Sequence, residues 1–335
     1  MNEKAILSAL YLNFGSQRVL PCDEKGVIAM DAALQTTANA TIPQIFATFV
    51  HPEVVEEVTA PLTSTKIFDE MKGADWADEQ STFPVAELLG SATGYSDYGR
   101  GTTSDSNLDW EVRDVARFQT FITIGDLEQE KMSKAKIDLL KQKQKAAART
   151  LEILENKINF FGVDGKAIYG LLTDPNLPSA VTPENVNSKV KWSEKDAVAI
   201  YNDILKMFNS IAEASNGYVT FDTPMVLCVP PAVLGNLAKV TQFGIAPTLE
   251  VLKKYFPNLD FLAVPELNKN GVAEAMLIVK EIAGEPVGKF GIVEKVRTGR
   301  VVLEHSSMSQ KWSAGTSGLF LFRPYGIARM TGIQS

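Results

Sequence analysis

Cysteine and histidine are scarce in this chain of 335 residues, with two of each. Cys22 and Cys228 lie far apart and form no framework, the pattern of a reducing, cytoplasm-like compartment. His51 and His305 have no second His or Cys at metal-ligand spacing, so no zinc site is expected. Basic residues are outnumbered, 33 Lys and Arg against 40 Asp and Glu, for a formal charge of −7. That balance argues against a dedicated nucleic-acid binder but leaves room for a local basic patch. No apolar run approaches the roughly 18 residues of a membrane span. The short run Ala5 to Leu12 follows Glu3 and Lys4 without a small-residue cleavage site, and reads as structure rather than as a signal peptide.

Motifs for chemistry are also missing. The glycine-rich stretch Gly90 to Gly101 contains no GxxxxGK[ST], and no GxSxG elbow occurs anywhere. His305 has no nucleophile paired with it, and acidic pairs such as Glu56-Glu57 and Asp78-Glu79 read as solvated charge. No catalytic, cofactor-binding or metal-binding residues are expected. Hydrophobic residues at 45% and charged residues at 22% are ordinary for a globular chain long enough to bury a sizeable core.

Local patterns are more informative. Residues 1 to about 60 are mixed, with small and polar residues dominating Gln35 to Thr41 and Pro43, Pro52 and Pro61 punctuating the rest, like an extended arm with one or two short helices. Gly90 to Asn107 (GSATGYSDYGRGTTSDSN) is too long for an ordinary loop and too poor in helix formers for a helix. Phe118, Thr120, Ile122 and Ile124 then alternate with Arg117, Gln119, Phe121 and Thr123, the period of a strand. From Asp126 the period lengthens. Ile137, Leu140, Ala147, Leu151, Leu154, Ile158 and Phe161 form one apolar stripe, with Asp126 and Gln129 as a capping box and Gly162 as the C-terminal cap. An uninterrupted helix from Asp126 to Phe161 would be about 54 Å long. A compact α/β unit follows: a helix from Ser193 with Asp196 as its box partner, a buried strand Met225 to Val229, a helix opening at Pro231 and running to Lys239, and a short helix Thr248 to Tyr255. Strands Leu259 to Val264 and Ala275 to Lys280 complete the unit. Short strands return after Gly288, at Gly291 to Val296, Arg300 to Leu303, Leu319 to Phe322 and Ile327 to Met330.

Charge is unevenly spread. Between Ala74 and Glu111 eight acids face Arg100 alone, a net −7 equal to that of the whole chain. Lys131, Lys134, Lys141, Lys145 and Arg149 recur at helical spacing opposite the apolar stripe, interrupted by Asp138. The acidic loop of one copy could therefore lie across the basic helix of another. Single exposed pairs contribute only about 0–1 kcal/mol, so charge would set register while apolar contact supplies affinity. Packaged DNA or a scaffold is a rival partner for the basic stripe.

This order of parts resembles the major capsid proteins of tailed bacteriophages. The resemblance rests on the acidic-glycine loop, the long helix ending in Glu155-Asn156-Lys157-Ile158-Asn159-Phe160-Phe161-Gly162, its exit through Ile168-Tyr169-Gly170-Leu171-Leu172-Thr173-Asp174-Pro175, and Gly315 to Ala328 at the end. It implies an α+β chain with the Hong Kong 97 (HK97) capsid fold: an N-terminal arm (1–60), an extended E-loop hairpin with flanking strands (61–125), a long spine helix and peripheral domain (126–191), an α/β axial domain (192–290), and C-terminal strands returning to the peripheral domain (291–335). It implies a non-enzymatic shell subunit of the virion capsid, assembled in the host cytoplasm into pentamers and hexamers around double-stranded DNA that it contacts non-specifically. A portal, a separate scaffold and decoration proteins would be its other partners, and no membrane is involved. Inter-subunit contacts are expected from the E-loop (Tyr95, Asp97, Tyr98, Arg100, Asp105, Asp109 and Trp110) and from the basic face of the spine helix. Two other readings stay open: an encapsulin-like compartment shell, and an α/β enzyme with a mobile acidic lid.

Overall fold

A computed structural model of the chain describes residues 61–89, 91, 97, 102, 105–134, 138–186, 189–240, 247–269 and 272–334. The expected N-terminal arm and most of Gly90 to Ser104 lie outside the described residues. The described chain opens with one helical turn, α1 (Ser64–Ile67), and a short strand, β1 (Glu70–Lys72). Two ten-residue strands, β2 (Gln80–Leu89) and β3 (Asp105–Asp114), pair antiparallel in unbroken register from Gln80↔Asp114 to Leu89↔Asp105. At about 3.3 Å per residue this ribbon is roughly 33 Å long. It is the hairpin expected on either side of the acidic loop.

The period of two is realised in β4 (Ala116–Gly125), where Phe118, Ile122 and Ile124 are buried while Gln119, Phe121 and Thr123 face out. The long helix is not continuous. It consists of α2 (Asp126–Lys134) and α3 (Leu139–Phe161), with Asp138 in a non-helical conformation, its side chain accepting from the Lys141 amide as an N-cap. The beam is thus 23 residues, about 34 Å, and not 54 Å. The stripe shifts with the break: Ala147, Leu151 and Ile158 are buried, Leu139 packs against Ile122, Ile124 and Ala147, and Leu140 is 43% exposed. Ile137 lies outside the described residues. The helix ends as expected at Gly162, whose φ of 66° suits glycine and whose amide donates to the Ile158 carbonyl at 2.7 Å.

The α/β unit contains α4 (Ala197–Ala214), β5 (Met225–Val229), α5 (Pro231–Leu234), α6 (Thr248–Tyr255), β6 (Leu259–Ala263), β7 (Asn268–Lys269) and β8 (Val272–Val279). Two details differ from expectation. Helix α4 starts after Asp196 rather than at a Ser193 box, and the turn at Pro231 continues only as 3-10 helix to Ala238. The expected short strands after Gly288 are, in fact, one long hairpin, β11 (Gly288–Leu303) and β12 (Ser307–Leu321), preceded by the two-residue pair β9 (Glu281–Ile282) and β10 (Glu285–Pro286). Register shifts at Gly291/Ile292, Ile292/Glu294, Glu294/Arg297 and Thr298/Val301 break the alternation, which is why the pattern reads as fragments. The last strand, β13 (Ile327–Gln334), does not return to the peripheral sheet. It pairs antiparallel with β8.

Two sheets result. The peripheral one has the order β1-β11-β12-β4 and the axial one β13-β8-β5-β6, with β7 on β8. The main core packs α4 residues Ile200, Ile204, Met207 and Ile211 over the sheet that holds β8 and the last strand, residues 327–334, and continues to Phe160, Leu171, Phe290 and Leu319 at the junction with the peripheral sheet. Smaller clusters sit between α3 and β4, around Leu151, Ile158 and Phe118 and around Ala147 and Ile122. The spine helix is therefore held to β4 by modest apolar contact, while the axial unit has the large core.

Candidate assembly interface

The ribbon is rooted at one end. Opposite residues of an antiparallel pair share a face, so Ser81, Phe83, Glu111 and Arg113 lie on one side and Thr82, Pro84, Trp110 and Val112 on the other. On the first side the Phe83 ring meets Phe320 edge-on at 5.0 Å and Phe322 at 5.7 Å. Arg113 is buried and lies over the rings of Tyr169 (4.9 Å) and Phe83 (5.9 Å). It pairs with Glu111 at 2.9 Å and Asp174 at 3.7 Å. Burial raises the Asp174 carboxyl above its ordinary range, against the pull of the Asn176 amide and Arg113. The Asp114 carboxylate accepts from the Ala167 amide at 2.9 Å, and the Asp114 amide donates back to the Ala167 carbonyl at 3.1 Å. Sequence reasoning missed this root. Arg113 stands two residues past the acidic stretch, and two of its partners, Tyr169 and Asp174, come from a segment more than fifty residues away.

On the second side Thr82 and Pro84 are exposed, Trp110 is 60% exposed and Val112 39% exposed. Of the E-loop residues expected to reach neighbours, Asp97 is an exposed turn residue, Asp105 is exposed at the start of β3, and Asp109 belongs to β3. Tyr95, Tyr98 and Arg100 lie outside the described residues. The acidic count is partly answered at home: Glu111 turns in to Arg113, and Asp75 pairs with Lys72.

The basic stripe is divided by the break at Asp138. Lys131 and Lys134 are exposed on α2; Lys141 and Lys145 are exposed and Arg149 half-buried on α3, opposite Ala147 and Leu151. Arg149 pairs with Glu152 at 3.3 Å. Lys143 faces elsewhere, donating to the Thr123 carbonyl and to Glu128, each at 2.8 Å, and so ties the α2–α3 corner to β4.

Among the described residues no three His, Cys, Asp or Glu side chains converge as metal ligands, and no helix is long and apolar enough to cross a membrane. Cys228 is fully buried in β5, and burial pushes its thiol well above the ordinary value, leaving it inert. His305 is exposed at the β11–β12 turn.

Comparison with known proteins agrees with this architecture. The family model described as the Pa193 gp26 major capsid protein matches residues 33–332. The capsid structure of Myoviridae phage XM1 is similar at 12% identity over 86% of this chain and 97% of that one, with a TM-score of 0.70. A solved structure described as Microbacterium phage Oxtober96 is 11% identical over 87% of this chain and 98% of that one, with a TM-score of 0.58. The capsid of the empty GTA particle computed with C5 symmetry is 10% identical over 88% and 98%, with a TM-score of 0.56. At such identities the likeness is one of fold, and the α+β Hong Kong 97 arrangement expected from the order of elements is the one found. No curated protein sequence matches the chain.

Proposed function

The chain belongs to the Pa193 gp26 major capsid protein family, and on that premise we propose that its copies close, as pentamers and hexamers, into the icosahedral head of a tailed bacteriophage around double-stranded DNA. It is a structural protein of the virion capsid, and its first partner is itself. The observation that carries the detailed reading is the ribbon: firmly rooted through Phe83 and Arg113, it presents Thr82, Pro84, Trp110 and Val112 on the side away from its own subunit's body. Exposed aromatic and aliphatic side chains on a rooted arm suit a neighbouring copy, because the arm loses little freedom on docking.

In this reading Tyr95, Asp97, Tyr98, Arg100, Asp105, Asp109 and Trp110 contact a neighbour. The face formed by Lys131, Lys134, Lys141, Lys145 and Arg149 receives the neighbour's acidic loop. Packaged DNA would be met non-specifically, and a portal, a separate scaffold and decoration proteins would complete the head, assembled in the host cytoplasm. The proposed division of labour keeps the arm at 1–60, the loop at 61–125, the spine and peripheral parts at 126–191 and the axial part at 192–290. Of the remainder, β13 works with the axial sheet.

Negative-stain microscopy of the purified protein should show closed particles. The double variant K141E/K145E should keep the subunit's melting behaviour, since both side chains are exposed, and yield no closed shells. Normal shells from the double variant would refute the loop-to-helix pairing. A wild-type chain that remains monomeric under every assembly condition would refute the shell itself.

A further inference from the structure

One side of the peripheral sheet is only partly covered. Opposite residues of adjacent strands share a face. The register therefore puts Ile124, Met308 and Leu303 in one row across β4, β12 and β11, and Ile122, Gln310 and Val301 in the next. The α3 helix closes over the β4 end of these rows, where Ile122 and Ile124 are buried against Ala147 and Leu139. The β11 end is left open. Met308 is half-buried, Val301 is 53% exposed and Leu303 is 81% exposed. A cavity of about 190 Å³ opens beside Met308, with Ile124, Leu139 and Leu140 in its wall. The result is an apolar ledge with a recess at its foot, on the face that carries the core under the spine helix.

The chain ahead of the described residues contains a segment that matches this ledge. Ile42, Ile45, Phe46, Phe49 and Val50 recur at steps of three and four, the spacing of one helix face, with Gln44 and Thr48 opposite. Pro43 suits the opening turn of such a helix and Pro52 its end. A helix of about nine residues does not hold itself together in water, so it needs a surface for its stripe. The tether has the right length. Thr63 and Ser64 are fixed by their amides, each at 3.1 Å, to the Asn156 side chain of α3. From Asn156 back to Leu140 the helix axis covers about 24 Å. Residues 51–62 span up to roughly 40 Å when extended.

We propose that residues 42–50 of the subunit's own arm form a short amphipathic helix that seats Ile45, Phe46 and Phe49 on Val301, Met308 and Leu303 and closes the recess beside Leu139. Burial of two apolar surfaces that are otherwise wet drives the docking. The tether favours the subunit's own arm over a neighbour's, because it holds the segment at an effective concentration on the order of millimolar. The arm thereby extends the small core under the spine helix out to the β11–β12 tip. This inference goes beyond the shell reading and does not rest on it.

Hydroxyl-radical footprinting of the purified full-length chain, unassembled and read by mass spectrometry, tests this. Val301 and Leu303 should be labelled several-fold more slowly in the wild type than in Phe46→Asp/Phe49→Asp, whose substitutions lie in the arm and leave the described core intact. Leu303→Asp changes a side chain exposed on the described body, and should in turn speed the labelling of Phe46 and Phe49 by a similar factor. Both effects should survive roughly tenfold dilution, as a tethered contact does. Equal labelling of Leu303 in the wild type and the double variant overturns the proposal. Continued protection of Phe46 in Leu303→Asp overturns it too, by placing the segment elsewhere. So does protection that vanishes on dilution, which would assign the ledge to a second copy. All these measurements are made on single subunits, so a failure to form shells would leave them intact.

Discussion

Asp203→Ala should destabilise the subunit by about 4 kcal/mol, measured as a shift in the urea midpoint of unassembled protein. Asp203 lies on the inner face of α4 with no solvent exposure. Its carboxylate accepts from Lys195 Nζ at 2.5 Å, from Trp192 Nε1 at 2.9 Å and from the Glu184 amide at 2.9 Å. Lys195 and Trp192 are themselves buried. Truncation leaves an ammonium without its counter-charge and the buried Trp192 indole and the part-buried Glu184 amide without an acceptor, and the uncompensated charge dominates the loss. The same turn is held from the other side by Lys239, whose ammonium donates to the carbonyls of Trp192 (2.7 Å), Ser193 (2.7 Å) and Lys195 (3.0 Å), while the Trp192 amide donates to Ile333 in β13. The network thus pins the irregular link before α4 onto the axial unit. Lys195→Met should cost less, about 2 kcal/mol, because Asp203 keeps two donors. The double variant Asp203→Ala/Lys195→Met should be more stable than Asp203→Ala alone, since it removes the orphaned charge. A loss under about 1 kcal/mol in Asp203→Ala would contradict the dominance of the buried charge.

Gly170→Ala should cost about 3 kcal/mol, the upper end for a side chain forced into a filled space. A Cβ at Gly170 would stand 2.6 Å from both the Gly162 nitrogen and the Phe160 carbonyl oxygen. Neither can retreat cheaply. The Phe160 carbonyl accepts from Leu172 at 2.9 Å, and the Gly162 amide donates to Ile158 at 2.7 Å. With Leu171 donating to the Asn159 carbonyl and Thr173 Oγ1 to the Phe161 carbonyl, this segment folds back to satisfy the last carbonyls of the spine helix. It then delivers Tyr169 and Asp174 to Arg113 at the ribbon root. Gly170→Ala should therefore also reduce the yield of closed shells, more than its stability loss alone would. Gly235→Ala is the control: nothing lies within 4 Å of its added methyl and its φ is −59°, so a change within about 0.5 kcal/mol is expected. Equal losses at the two positions would show that the crowding at Gly170 is illusory.

Both cases show where sequence reading stops. The exit segment stands out in the sequence as a unit, but its role as the cap of α3 depends on contacts across about twelve residues and its role as the seat of Arg113 on contacts across 53 or more. The Lys195–Asp203 pair lies eight residues apart in a stretch whose polar character reads as surface. Asp138 interrupts the basic stripe in the sequence, but the good helix formers around it mask its capping role, which rests on the Lys141 amide donating to its carboxylate.

What the amino-acid order determined unaided was everything set by neighbours in the chain. The alternation of β4, the stop at Gly162, the strand Met225–Val229 and the helix Thr248–Tyr255 all follow from periods of two or 3.6 and from caps within four residues. Tertiary structure alone decided the partners: β13 joining β8 rather than the peripheral sheet, the bulged union of β11 with β12, and the side of the ribbon that is seated on Phe320 and Tyr169. The reason is that strand pairing and buried charge are chosen by the free energy of the whole packed chain. A residue's local pattern says which face it prefers to bury, but it does not say against what.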